Sequence, residues 1–228
     1  MDMIKGLMFD LDGTLLDRTR SLQEFINTQY ERHADLLQKV TSQNYVEDFL
    51  EYDQNGYLHK KHVYRKLVEK YKLDHHLYDI LLADYYMEFH GHCVPMDDLD
   101  VLISYLKESS LMSGLMTNGE TIFQTKTIEA LSLEDVFHCA LISEEEGIKK
   151  PSPEFFYRGL QQLDLQSNET IFVGDHPYND IQAAKKLGMY TIWVKSIYYE
   201  KPKEADFMID SLSEIPEIVQ SLLKGGST

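Results

Sequence analysis

Two carboxylates lie one residue apart near the amino end of the chain. Asp10 and Asp12 follow an apolar run at residues 4–9, which predicts a buried strand that ends beside them. Asp12 and Gly13 are typical of a turn, and the Thr14 hydroxyl can donate to a backbone group or to a ligand oxygen. Two acids at a strand end could hold a hard cation and supply an oxygen nucleophile. Taken alone, an ordinary Asp-Gly turn explains these residues equally well.

These acids can act with other groups only if the fold brings further strand ends beside them. Short apolar runs predict strands, and periodic runs between them predict helices. The predicted strands are residues 4–9, 111–117, 139–143, 170–175, 190–194 and 207–209, and the predicted helices are residues 97–106, 122–131, 153–163, 181–187 and 211–223. This alternation predicts an α/β fold with a doubly wound parallel sheet. We expect the tail at residues 224–228 to fray.

The long segment between the first two predicted strands contains no strand signal. Between residues 19 and 92, apolar residues recur every three or four positions, which is typical of amphipathic helices. We expect about four helices here, packed as a separate bundle. The predicted domains are an α/β catalytic core at residues 1–17 and 95–228, and a helical cap at residues 18–94.

Polar groups also follow three later strands. Thr117 and Asn118 end the second, Lys150 follows the third, and Asp175 ends the fourth. In doubly wound sheets, ligands bind beyond the carboxyl ends of the strands, where the strand order reverses. We therefore expect these residues to meet the two amino-terminal acids. Each has a plainer reading, as a turn residue or a solvated lysine, but together they favour one site.

Composition narrows the classes of function. The chain has 228 residues, 43 % of them hydrophobic, so a sizeable core is available. Its formal net charge of -16 argues against binding to a nucleic acid polymer or to an anionic membrane. Cys93 and Cys139 fit no metal-binding spacing, and no apolar run at the amino end or elsewhere resembles a signal peptide or a membrane span. We expect a cytoplasmic protein.

Four short motifs of the sequence resemble those of a known family. It is similar to the haloacid dehalogenase-like hydrolase superfamily, in the subgroup whose helical cap is inserted after the first strand. The matching stretches are FDLDGTL (residues 9–15), TNG (117–119), KPSPE (150–154) and GDHPYNDI (174–181). The resemblance covers essentially the whole chain, but these motifs do not determine the substrate.

The resemblance implies a role for each acid. Asp10 is the expected nucleophile, forming an aspartyl-phosphate, and Asp12 the general acid and then base. Asp10, Asp175 and the backbone carbonyl of Asp12 are the expected Mg²⁺ ligands. Asp180 is expected to support the site through a bound water or by pairing with Lys150; its plainer reading is an acid at a helix start.

The remaining motif residues are expected to bind the phosphoryl group. Thr117 and the N–H of Asn118 would contact phosphoryl oxygens, and Lys150 would neutralise charge on the nucleophile and on the transferring group. The second acid, Asp12, favours phosphate chemistry, because halide departure in true dehalogenases needs no acid.

We therefore predict a Mg²⁺-dependent phosphomonoester hydrolase acting on a small soluble metabolite. DQNG (residues 53–56) and ISEEEG (142–147) are similar to members that hydrolyse nucleoside monophosphates, while sugar phosphates and phosphoglycolate stay open. The alternatives are a phosphomutase on sugar phosphates, a phosphonate-cleaving enzyme that uses Lys60 or Lys61, and a non-catalytic regulatory protein on the same fold. The oligomeric state is not indicated.

Overall fold

The computed structural model describes residues 4–225. The chain divides into two compact units, Arg18–Val94 and a unit formed by Met1–Asp17 with Pro95–Thr228. Residues 226–228, part of the tail expected to fray, lie outside the described residues, as do residues 1–3.

A six-stranded parallel sheet organises the larger unit. Its strands are β1 (Gly6–Phe9), β2 (Met112–Thr117), β3 (Cys139–Ile142), β4 (Thr170–Gly174), β5 (Tyr190–Val194) and β6 (Phe207–Ile209). Their order is β3-β2-β1-β4-β5-β6, so the chain leaves β1 towards one edge and later returns to build the other half. The order reverses at β1, which places a ligand crevice beyond its carboxyl end.

All four residues of β1 are buried, and both faces of the sheet are covered. Met8 belongs to a core cluster with Phe155, Phe156 and Phe172, while Leu7 and Phe9 point to the opposite, equally buried face. Phe9 pairs with Leu115 on β2 and with Val173 on β4, so Asp10 lies close to the carboxyl ends of both neighbouring strands.

Helices connect the strands of this unit. They are α5 (Leu99–Glu108), α6 (Thr121–Ala130), α7 (Ser143–Glu146), α8 (Pro153–Gln162), α9 (Ala183–Lys186) and α10 (Ile215–Gly225). Most predicted boundaries lie one to four residues from the observed ones. Ser143, expected to end β3, begins α7. A π-helical turn at Pro177–Gln182, with its proline in the first turn, precedes α9.

The unit Arg18–Val94 is helical throughout. Its helices are α1 (Arg18–Arg32), α2 (Ser42–Asp53), α3 (Lys60–Lys70) and α4 (His76–Glu88), with short 3₁₀ turns at Gln54–Gly56 and Phe89–His92. At the centre of its packing, the buried Gln29 amide accepts from the hydroxyls of Tyr45 at 2.8 Å and Tyr64 at 3.0 Å. The same amide donates to the carboxylate of Asp84 at 2.9 Å, which satisfies a buried polar cluster.

Candidate active site

Asp10 lies directly beyond β1, at the centre of the sheet. One carboxylate oxygen, Oδ1, accepts from Lys150 Nζ at 2.5 Å, and the other accepts from the Thr14 hydroxyl at 3.3 Å. Lys150 Nζ also lies 2.8 Å from Asp180 Oδ1. All four side chains are buried, so these charges interact in a medium that screens them weakly. Of the two expectations for Asp180, the structure therefore contains the ion pair with Lys150.

Three carboxylates share this site with a single lysine. Asp10, Asp175 and Asp180 are buried, and each offers an oxygen within 4.8 Å of the others. Burial raises the pKa of Asp10 to about 6, with a further rise from Asp180 and an opposing effect of Lys150. Burial also raises the pKa of Asp175 well above its ordinary value, with added repulsion from Asp10 and Asp180. A hard divalent cation would offset this excess of negative charge, and the oxygen donors fit Mg²⁺.

Two glycines make the approach of these acids possible. Gly13 has a φ of 83°, and a Cβ there would lie 2.6 Å from Asp175 Oδ2. A Cβ on Gly174 would lie 2.6 Å from the Cβ of Asp180. Asp175 is further fixed because Trp193 Nε1 donates to its carbonyl oxygen at 2.6 Å. The turn after Asp12 therefore provides room for a second acid as well as a change of chain direction.

The backbone of Lys150 is held by Asn118. The Asn118 amide donates to the Lys150 carbonyl at 3.0 Å and accepts from the Lys150 N–H at 2.9 Å. The following peptide bond, Lys150–Pro151, is cis. Burial opposes the charge of Lys150, but the neighbouring carboxylates outweigh it and raise its pKa. The Asn118 side chain thus positions the lysine, a contact that the sequence reasoning did not anticipate.

Asp12 and Thr117 are joined by a residue that the motifs did not include. Gln124 Nε2 lies 2.7 Å from Asp12 Oδ2 and 2.5 Å from Thr117 Oγ1. Gln124 lies on α6, where it shares the buried face with Thr127 and Ile128. A glutamine on the apolar face of a helix that follows TNG was the available signal in the sequence.

Lys60, one of the two lysines considered for phosphonate cleavage, has a fixed partner in the helical unit. It is buried and forms an ion pair with Asp53, which also accepts from Arg18 at 2.8 Å. Burial opposes ionisation of Asp53, but the attraction of Lys60 and Arg18 outweighs it and lowers the pKa of Asp53. Because a Schiff base requires a neutral amine, this pairing counts against Lys60 as a nucleophile.

One described family has a model that matches the part of the chain containing these acids, the lysine and most of the sheet. The model of the haloacid dehalogenase-like hydrolases matches residues 7–194. The chain belongs to this family. The resemblance seen in FDLDGTL and the other motifs is confirmed, as is the predicted α/β fold.

Relatives of this hydrolase include named phosphatases. It is 30 % identical to a glyceraldehyde 3-phosphate phosphatase of Pyrococcus furiosus over an alignment of 229 positions, which covers 96 % of this chain and 95 % of the relative. It is also 30 % identical to an enzyme of the same name from Methanocaldococcus jannaschii over an alignment of 237 positions, which covers 97 % of this chain and 100 % of the relative. The family and these relatives confirm the predicted class, a hydrolase of phosphoric monoesters.

Solved structures agree on the fold. The magnesium-bound HAD-hydrolase YfnB from Bacillus subtilis superposes with a TM-score of 0.75 at 21 % identity, covering 96 % of this chain and 99 % of that one. Within residues 4–225, no helix combines the length and apolar character needed to cross a membrane.

Proposed function

We propose that this hydrolase cleaves small phosphate monoesters with Mg²⁺, through an aspartyl-phosphate on Asp10. The observation that carries the proposal is the buried group of Asp10, Asp175, Asp180 and Lys150 at the carboxyl ends of the central strands. A buried carboxylate that keeps its charge beside a lysine is a suitable nucleophile for phosphorus.

Asp10 and Asp12 divide the chemistry. A carboxylate oxygen of Asp10 attacks phosphorus, the bond from phosphorus to the leaving oxygen breaks, and Asp12 gives its proton to that oxygen. Water then attacks the phosphorus of the aspartyl-phosphate while Asp12 takes up a proton from that water. The bond from phosphorus to the Asp10 oxygen breaks, which releases phosphate and restores the Asp10 carboxylate. With a pKa of about 6, Asp10 is mostly ionised at neutral pH.

Thr117, the N–H of Asn118 and Lys150 hold the transferring group. Lys150 already donates to Asp10 Oδ1, so its charge lies where negative charge accumulates during transfer. Asn118 keeps the lysine in place through its two hydrogen bonds with the Lys150 backbone.

The side chains of Asp10 and Asp175, with the Asp12 carbonyl, are the proposed Mg²⁺ ligands, and Asp180 supports them through Lys150. When bound, the ion supplies charge neutralisation for the phosphoryl oxygens and the carboxylates. The excess of acids over lysine supports this assignment.

We propose that the helical unit Arg18–Val94 is the cap and selects the substrate. The stretch at residues 53–56 favours a nucleoside monophosphate, whereas the names of the two archaeal relatives favour a phosphorylated triose. Both are small phosphate monoesters, and a direct comparison separates them.

The test is a steady-state screen of the purified protein. An aryl phosphate, nucleoside monophosphates, glyceraldehyde 3-phosphate and sugar phosphates are offered with Mg²⁺ or with a chelator. We expect turnover only with Mg²⁺, loss of at least about 10³-fold in Asp10→Asn, and wild-type rates in the control Asp135→Asn, an exposed acid. Activity that survives chelation or persists in Asp10→Asn would overturn the mechanism. Return of the phosphoryl group to a second sugar hydroxyl would instead identify a phosphomutase.

A further inference from the structure

Gln124 bridges the two residues whose protons matter most in this site. Its side chain is buried, with 2 % exposure, and one nitrogen contacts both Asp12 Oδ2 and Thr117 Oγ1. We propose that Gln124 is a positioning residue that sets the direction of the hydrogen bonds made by Asp12 and Thr117. This inference rests on the proposed roles of Asp12 as acid and base and of Thr117 as a phosphoryl ligand.

The orientation of the Gln124 amide follows from its neighbours. An ionised carboxylate can only accept hydrogen bonds, so the amide nitrogen, and not the amide oxygen, must face Asp12. That nitrogen carries two hydrogens and donates both, one to Asp12 and one to Thr117. Because Thr117 Oγ1 accepts here, its own hydrogen is directed elsewhere, and a phosphoryl oxygen is the acceptor that the mechanism supplies.

The same logic applies to the proton of Asp12. Its Oδ2 accepts from Gln124, and the carbonyl oxygen of a protonated carboxyl is a better acceptor than its hydroxyl oxygen, so this contact favours placing the acid proton of Asp12 on Oδ1. Gln124 thereby selects which oxygen of the acid donates to the leaving group. General acid catalysis depends on such placement, because the donor must lie within hydrogen-bond reach of the leaving oxygen.

The surrounding chain is built to admit this side chain. A Cβ on Gly119 would lie 2.7 Å from Gln124 Cγ, and the Gly119 backbone does not occupy the left-handed region. The absent side chain therefore provides room for Gln124. Gln124 is also fixed in the first turns of α6, where its N–H donates to the Glu120 carbonyl at 2.9 Å.

The test compares two leaving groups. Gln124→Met keeps a similar shape and removes both donors, and Gln161→Met makes the same change at an exposed site on α8. An aryl phosphate needs little help from an acid, whereas an alkyl phosphate needs a proton on its leaving oxygen. In Gln124→Met we expect kcat/KM for the alkyl ester to fall about tenfold or more beyond the fall for the aryl ester. Gln161→Met leaves both values unchanged.

An equal loss for both esters, or no loss, would overturn the inference. If Gln124→Met does not fold, judged by the fluorescence of Trp193, Gln124→Leu is the second variant, because its smaller apolar side chain fits the same space and cannot donate to Asp12. The same leaving-group dependence is expected, and its absence counts equally against the inference. Failure of the proposed function is seen separately, as activity in Asp10→Asn or as no turnover by the wild type.

Discussion

Replacing Asp10, the proposed nucleophile, should stabilise the metal-free protein while abolishing its activity. The ordinary pKa of an aspartate is 3.8, and Asp10 has a pKa of about 6 because burial and Asp180 oppose its charge more than Lys150 favours it. A shift of about two units at about 1.4 kcal/mol per unit corresponds to about 3 kcal/mol. Asp10→Asn removes this cost, so we expect its free energy of unfolding to exceed that of the wild type by about 1–3 kcal/mol at pH 7.5.

The difference in stability between Asp10→Asn and the wild type should depend on pH. Because the folded pKa lies above the unfolded one, the favourable contribution of protonated Asp10 is fully present below pH 3.8 and is lost as the pH rises through about 6. The gap between variant and wild type should therefore be near zero at about pH 4 and reach its maximum above about pH 7.

Denaturant unfolding followed by Trp193 fluorescence is a suitable assay. Trp193 is the only tryptophan of the chain and donates to the Asp175 carbonyl, so it reports on the unit that contains the site. All samples contain a chelator, and Asp135→Asn is the control for loss of an exposed carboxylate. A variant less stable than the wild type at pH 7.5, or a gap independent of pH, would refute the reasoning. In a parallel series without chelator, added Mg²⁺ should raise the wild-type midpoint more than that of Asp10→Asn.

Three further outcomes follow from the same geometry. Gly13→Ala should lower Mg²⁺ affinity at least about tenfold, because its Cβ displaces the Asp175 carboxylate. The control Gly188→Ala should lose stability only, since Gly188 has a φ of 87° and no neighbour within 4 Å. Equal effects of the two variants on Mg²⁺ affinity, measured by Mg²⁺ titration of activity, would count against the displacement. Gln29→Leu should lower the free energy of unfolding of the helical unit by about 2–4 kcal/mol in thermal unfolding, because two buried tyrosine hydroxyls lose their acceptor. Gln23→Leu, at an exposed site on the same helix, should lower it little. Chelation should abolish turnover and Mg²⁺ should restore it, and a rate unaffected by chelator would show that the acids do not hold a required metal.

The local pattern of apolar and polar residues was sufficient to predict most of the fold. Apolar runs and helical periodicity encode burial along the chain, and the alternation of strands and helices leaves few topologies. The carboxyl ends of β1, β2 and β4 are neighbours in the sheet, so Asp10, Thr117 and Asp175 could be grouped before any contact was known. The ends of the elements were less well predicted, by up to four residues, because turn chemistry and packing compete at the ends of helices and strands.

Other features of the site depend on contacts between distant parts of the chain. Gln124 contacts Asp12, 112 positions away in the sequence, and Asn118 contacts Lys150, 32 positions away. Helical and strand periodicity cannot predict contacts between residues so far apart in the sequence. The raised pKa of Asp10 likewise results from burial among groups that come from separate loops. The sequence by itself therefore determined which acids end the strands and which family the chain resembles. The tertiary structure alone decided how those acids are charged, paired and oriented, because burial and charge proximity exist only after the strands pack together.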